Sequence, residues 1–224
     1  DPFIERFATG LIRPKITTLG SNLSGVIEAA GKDVKQLKEA DPVFAASDAA
    51  FGAHDENVCL PEEGALALMP ANMTVGESAS ILGGGLTALP VLRVTGKMRR
   101  GLKILINGAS GSVGTSAVQL ARYLGAEVTG VCSTTNLELV KSLGADEVID
   151  YTNEDFTERG ELYDLIFDAV GKSSFLKCKK ALTPKGTFVT SNKGNAPLRA
   201  EDLVFLRELV EAGKLKSVID RRYP

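Results

Sequence analysis

The chain has 224 residues, 44% hydrophobic, 24% charged and 6% aromatic, which is ordinary for a globular protein and too apolar for a disordered one. With 26 Lys and Arg against 28 Asp and Glu, the formal net charge of −2 argues against nucleic acid or an anionic membrane as a general partner. One His and three separated Cys leave little material for a metal cage.

Residues 1–73 carry short extended runs, Leu23 to Ala29 and Asn57 to Pro61, divided by Gly, Pro and Asp, which predicts a small irregular β domain. From Thr74 the texture changes. Val75 to Val94 reads as a helix, and the interruptions Gly83-Gly84-Gly85 and Pro90 need a packing or ligand reason. Buried strands then alternate with amphipathic helices. Lys103 to Asn107 is a short apolar run suited to a strand covered on both faces. Val113 to Leu124 follows as a helix closed by Gly125, with an apolar face at Val113, Ala117, Leu120, Ala121 and Leu124. Glu127 to Cys132, Glu147 to Asp150, Leu165 to Asp168 and Thr187 to Thr190 read as further strands. Asn136 to Leu143 and Phe175 to Leu182 read as helices between them. The alternation predicts an α/β fold with a doubly wound parallel sheet over residues 74–213.

In the tail, Glu201 to Ala212 reads as a helix ending at Gly213, and Lys216 to Asp220 as a short strand. Residues 214–224 are expected to return to the first domain. A sheet of this class needs a further crossover after Thr190. We therefore expect residues to be missing between about Lys193 and Leu198, around Gly194-Asn195, and at both ends. A related irregularity is expected near Ala46 to Phe51.

No apolar run approaches the roughly 20 residues of a membrane span. The start, Asp1 to Arg6, has neither the basic nor the apolar region of a signal peptide. Cys59, Cys132 and Cys178 form no Cys-x-x-Cys pair and read as reduced thiols of a cytoplasmic protein.

The most informative segment is Asn107-Gly108-Ala109-Ser110-Gly111-Ser112-Val113-Gly114, between the first sheet strand and a helix. It departs from G-x-G-x-x-G at Ala109, but the physics is the same. A turn of small residues lets backbone N–H groups approach a pyrophosphate, and the helix N-terminus adds a partial positive charge. With a strand before, a helix after and a βαβ unit following, dinucleotide binding is favoured over a bare βα turn.

The second strand bears on which dinucleotide. An NAD site places an acid at that strand's end for the ribose 2′-OH, whereas this chain has no acid from Val128 to Leu137. The hydroxyls and amide of Ser133-Thr134-Thr135-Asn136 can donate to a 2′-phosphate, which favours NADP(H). A polar loop indifferent to the 2′ group remains the alternative.

Gly108 to Gly114, followed by Val118-Gln119-Leu120-Ala121 and Ser142-Leu143-Gly144-Ala145-Asp146, resembles the medium-chain dehydrogenase/reductase superfamily. Leu19 to Gly31, Leu86-Thr87-Ala88-Leu89, Val148 to Tyr151 and Phe167 to Gly171 are similar to its zinc-independent quinone oxidoreductase and alkenal/enone reductase group. The resemblance implies a Rossmann domain, a GroES-like β domain (incomplete here) and a cleft between them. It further implies NADPH as hydride donor to a small quinone or enone, and a homodimer. Ser110, Gly111, Ser112 and Val113 would contact the pyrophosphate, and Ser133 and Tyr151 the 2′-phosphate. Asn136 stands where the group often has Lys. Thr87 would sit beside the nicotinamide, and Ala169 and Val170 through Gly171 would line the ribose. Pro42, in Glu39-Ala40-Asp41-Pro42-Val43, departs from the group's Gly-Asp before Val, and no catalytic side chain is assigned.

Other chemistries fit less well. Gly20-Ser21-Asn22 stands where the zinc branch has Gly-His-Glu, and His54 with Cys59 makes at most two ligands, so no metal is expected. None of the four Tyr has a Lys four residues later, as a short-chain dehydrogenase requires. Gly108 to Ser112 misses the hydrolase elbow at its last position, and no Walker A motif is present. The remaining rivals are a non-catalytic NADP(H)-binding protein and an enoyl-thioester reductase.

Overall fold

A computed structural model describes residues 18–47, 52–191 and 198–223. The expected join around Gly194-Asn195 and part of the expected irregularity at Ala46 to Phe51 lie outside them.

Three short strands, β1 (Asn22–Val26), β2 (Pro42–Ala46) and β3 (Leu66–Leu68), form an antiparallel sheet in the order β1-β2-β3. Only the first matches an expected run, and it ends before Ile27. Asn57 to Pro61 is not a strand, since Pro61 opens a turn closed by the Gly64 N–H. Pro42 is tolerated as the first residue of β2, paired with Val26, where its missing N–H costs little.

Helix α1 (Val75–Pro90) starts at a capping box. Thr74 Oγ1 accepts from the Glu77 N–H, and Glu77 Oε2 accepts from the Thr74 N–H at 2.8 Å. After Pro90 the turn widens into π-helical backbone over Val91–Thr95, with the Gly96 N–H bonding Val91 O at 2.7 Å. Val75 to Thr95 thus makes 21 helical residues, 18 of which form a window of mean hydropathy 1.3, long and apolar enough by length and composition to cross a bilayer. This corrects the expectation that no such run exists. Here Ile81, Leu82, Leu86, Leu89 and Leu92 are buried in the protein core.

The expected alternation is present as β4 (Lys103–Asn107), α2 (Ser112–Tyr123), β5 (Glu127–Cys132), α3 (Leu137–Ser142), β6 (Glu147–Asp150), β7 (Tyr163–Asp168), α4 (Phe175–Cys178), β8 (Leu182–Thr190) and α5 (Ala200–Glu211). Its five strands are parallel, in the order β6-β5-β4-β7-β8. Successive side chains of β4 go to opposite faces, Ile104 and Ile106 into the larger core and Leu105 into the smaller. Both faces are therefore covered, as the continuous apolar runs require.

Two departures concern the last third. The expected helix Phe175 to Leu182 is four residues plus a 3-10 turn, and β8 begins at Leu182. The expected strand Lys216 to Asp220 has no sheet partner. Instead, buried Gln119 of α2 holds the Lys216 backbone from both sides. Nε2 donates to Lys216 O at 3.0 Å, and Oε1 accepts from its N–H at 2.8 Å. Ser217 meets Ser80 of α1.

Candidate functional site

Ser110, Gly111, Ser112 and Val113 follow β4, Ser133 and Asn136 follow β5, Tyr151 follows β6, and Ala169 and Val170 follow β7. All parallel strands end at the same edge of the sheet. The order reverses between β4 and β7, so a crevice opens there.

The loop after β4 is built to be small. The Gly108 and Ala109 N–H groups both bond Val131 O, at 3.0 and 2.9 Å, which pins the turn to β5. A Cβ at Gly114 would lie 2.0 Å from Gly108 O and 2.7 Å from Ala109 Cα, so α2 can rest on the loop only without a side chain there. Gly84 of α1 meets the same constraint from the other side, 2.2 Å from Ser112 O. That contact is the packing reason for Gly84, and Gly85 has its own, since a Cβ there would lie 2.8 Å from Leu206 Cδ1. Gly111 caps α2, no side chain bonds the helix's first turn, and a Cβ at Gly111 would meet only Gly108 O at 3.5 Å. Backbone donors therefore face open space at a positive helix end.

On the β7 side, Asp168 is fully buried and fastens the adjacent loop. Its Oδ1 accepts from Asn107 Nδ2 at 3.0 Å and from the Val170 and Gly171 N–H groups, both at 3.1 Å. Its Oδ2 accepts from the Ser173 N–H at 2.7 Å. Val170 is thereby held against Gly108. Sequence reasoning quoted Asp168 without giving it work; the available signal was an Asp at a strand end before a small-residue turn.

At β5, Asn136 Nδ2 donates to Ser133 Oγ at 3.0 Å, and Thr135 lies 3.2 Å from the same oxygen. Tyr151 is 62% exposed, and its N–H bonds Cys132 O, joining the β6 loop to this one. The fold also brings in an acid that the linear reading of Val128 to Leu137 missed. Asp150, from the end of β6, accepts from Thr134 Oγ1 at 2.5 Å. Its other bonds come from Asn153 Nδ2 and from the N–H and hydroxyl of Thr152. The Thr134 hydroxyl above all holds this carboxyl below the usual range. These neutral donors thus stabilise the ionised carboxylate.

Thr87 lies apart, half-buried on α1, with Oγ1 donating to Gly83 O at 2.8 Å. It is tied to the crevice through the Gly84–Ser112 contact one turn earlier and to β1 through Gly83, where a Cβ would lie 3.1 Å from Asn22 Nδ2. Among the described residues no group of three or more His, Cys, Asp or Glu could hold a metal ion.

A doubly wound sheet with a glycine-lined crevice, joined to a small antiparallel sheet, defines a dehydrogenase-type fold. Comparisons with known proteins agree. The zinc-binding dehydrogenase family profile matches residues 112–212. A 2-methylene-furan-3-one reductase of Solanum lycopersicum is 35% identical over 94% of this chain and 58% of its own length. A chloroplast envelope quinone oxidoreductase homolog of Arabidopsis thaliana is 29% identical over all of this chain and 79% of its own. The quinone oxidoreductase structure from Coxiella burnetii superposes with a TM-score of 0.82, at 26% identity over 96% of this chain and 74% of that one. The chain is thus similar to the zinc-binding dehydrogenase family over residues 112–212 and, along most of its length, to proteins named quinone oxidoreductase and alkenal/one oxidoreductase. It spans about 58% of the length of the first curated relatives. The match to the Arabidopsis envelope relative runs over 260 positions against 224 residues here, so at least 36 of them have no counterpart within this chain.

Proposed function

We propose that the protein is an NADPH-dependent, zinc-independent oxidoreductase of quinones or α,β-unsaturated carbonyls. The observation that carries this reading is the uncapped first turn of α2 behind a loop too tight for side chains. It is a backbone anion site at the switch point of a parallel sheet. Curated relatives named NADPH-dependent alkenal/one oxidoreductase and quinone oxidoreductase support it.

The residues present fit a phosphorylated dinucleotide. The amides of Ser112 and Val113, with Ser110 and Gly111, would hold the pyrophosphate; Ala169 and Val170, fixed through Asp168, would flank the ribose. Ser133, Asn136 and Tyr151 would surround the 2′-phosphate, while the charged Asp150 carboxylate is bonded by Thr134, Thr152 and Asn153 rather than by the coenzyme. Thr87, its hydroxyl proton engaged by Gly83 O, would present lone pairs toward the nicotinamide end. Bound there, the coenzyme supplies a hydride for the β-carbon of a conjugated carbonyl. The protein's contribution is to orient the partners, exclude water and stabilise developing enolate charge.

The substrate is then a small apolar acceptor, with no metal and no nucleic acid involved. The expected homodimer is consistent with the place of β8 at the end of the sheet among the described residues. Three free thiols fit a reducing compartment such as the cytoplasm. A second reading, enoyl-thioester reduction, is favoured by one relative, a trans-enoyl reductase of Aspergillus terreus that is 34% identical over 76% of this chain.

The experiment is steady-state oxidation of NADPH with quinones, simple enones and enoyl thioesters. Turnover of quinones or enones supports the proposal. Tight NADPH binding with no turnover of any acceptor contradicts it and leaves a binding protein.

A further inference from the structure

Between residues 172 and 185 the sequence holds five lysines, Lys172, Lys177, Lys179, Lys180 and Lys185, and no acid, in a chain of net charge −2. All five are exposed. Phe175 and Leu176 stand among them, 51% and 83% exposed, while Cys178 on the same short helix is fully buried. Helix α4 therefore turns its cysteine to the core and its two largest apolar side chains outward. The Phe175 ring is tilted 6.4 Å from that of Phe188, on the edge strand β8. Two lysines have acidic neighbours: Lys177 Nζ is 3.0 Å from Asp155, and Lys180 pairs with Glu158. Among the described residues Lys172, Lys179 and Lys185 make no ion pair.

Three occupants compete for such a surface. A second copy with its two-fold axis on this patch would bring lysines against lysines, which is repulsive. A protein partner is disfavoured by composition, since specific interfaces are depleted in Lys and enriched in Arg, and this stretch has none. An anionic bilayer takes both parts, the ammonium groups at its phosphates and the Phe and Leu tips at the acyl boundary. We infer that Phe175 and Leu176, together with the exposed Lys172, Lys179 and Lys185 of the same stretch, dock the protein on an anionic lipid surface. The inference is independent of the coenzyme and of the proposed reaction. It also amends what net charge suggests: the average over the whole chain conceals a local excess.

The test is co-sedimentation of the full chain with vesicles of phosphatidylcholine, alone or mixed with phosphatidylserine. The mixed vesicles are expected to bind at least about tenfold more protein, and roughly 0.5 M salt to release it. Salt release also separates surface docking from insertion of the apolar helix Val75–Thr95. Changing Lys172, Lys179 and Lys185 together to Gln is expected to weaken partitioning roughly a hundredfold. Leu176→Ser alone should weaken it about tenfold. Circular dichroism matching the parent protein keeps loss of binding distinct from loss of fold. Equal binding to both vesicle types, undiminished binding by the triple variant, or capture by polyglutamate without capture by mixed vesicles would each overturn the inference.

Discussion

In the parallel sheet the central strands are buried on both faces, with Ile104, Leu105 and Ile106 of β4 and Leu165, Ile166 and Phe167 of β7 all without solvent contact. In the antiparallel sheet only β2 is buried along most of its length. No residue of β1 is fully buried, and of β3 only Ala67 is. One side of that small sheet borders a cleft of about 710 Å3, lined by residues such as Leu23, Ile27, Val34, Leu37 and Leu60. Its rim is held by polar contacts: the Glu62 carboxylate accepts from the Lys35, Gln36 and Leu37 N–H groups, and these bonds lower its pKa. The parallel-sheet half therefore carries its shape in close packing, the other half in a few hydrogen bonds around open space.

Substitutions can break that contrast. The largest effect is expected for Phe44→Ala, because Phe44 is the fully buried link between β2 and the main core; about 3–5 kcal/mol should be lost in chemical denaturation. Val26→Ser, on the exposed end of β1, should stay within about 0.5 kcal/mol. Equal losses at both positions would mean that the antiparallel sheet is packed uniformly. Gly114→Ala, forcing a Cβ against Gly108 O, should cost about 3 kcal/mol or somewhat more and abolish NADPH binding. Asp168→Ala leaves three backbone donors without their acceptor and should cost about 3 kcal/mol with at least a tenfold loss of coenzyme affinity, read by calorimetry.

The same contrast governs what could be read in the sequence. Strands buried on both faces appear as unbroken apolar runs, and helices on them as a 3.6-residue face. Strands β4, β5 and β6 were therefore legible to the residue, whereas β7 and β8 begin at Tyr163 and Leu182, before the expected Leu165 and Thr187. Strands β2 and β3 carry no alternation long enough to register, since burial by α1 and α5 decides their faces. Asn57 to Pro61 has the composition of a strand without a partner. The glycine loop after β4 was legible because glycine spacing reports close backbone approach. The Asp168–Asn107 bond, the Asp150–Thr134 bond and the Gln119 hold on Lys216 were not. Each joins residues 16 to 97 positions apart, and no local pattern encodes such pairs.

Smaller effects sharpen the comparison through pH. Asp155 is held at a pKa of about 2, chiefly by the Thr157 N–H, and Asp150 is also lowered. Carboxylates lowered in the fold contribute stability above their unfolded pKa of about 4 and lose it as pH falls toward the folded value. The melting temperature should therefore decline between about pH 4 and pH 2, and Asp155→Asn should flatten that decline. An unchanged slope in the variant would place the acid-sensitive groups elsewhere.

Isothermal titration of the full chain with NADPH and with NADH, on the parent protein and on Ser133→Ala, tests the central claim most directly. The phosphorylated coenzyme should bind at least about tenfold more tightly, and the loss of Ser133 should reduce that preference by about tenfold while leaving NADH unchanged. No heat of binding with either coenzyme, or equal affinity for both, would contradict the assignment of this crevice to NADP(H).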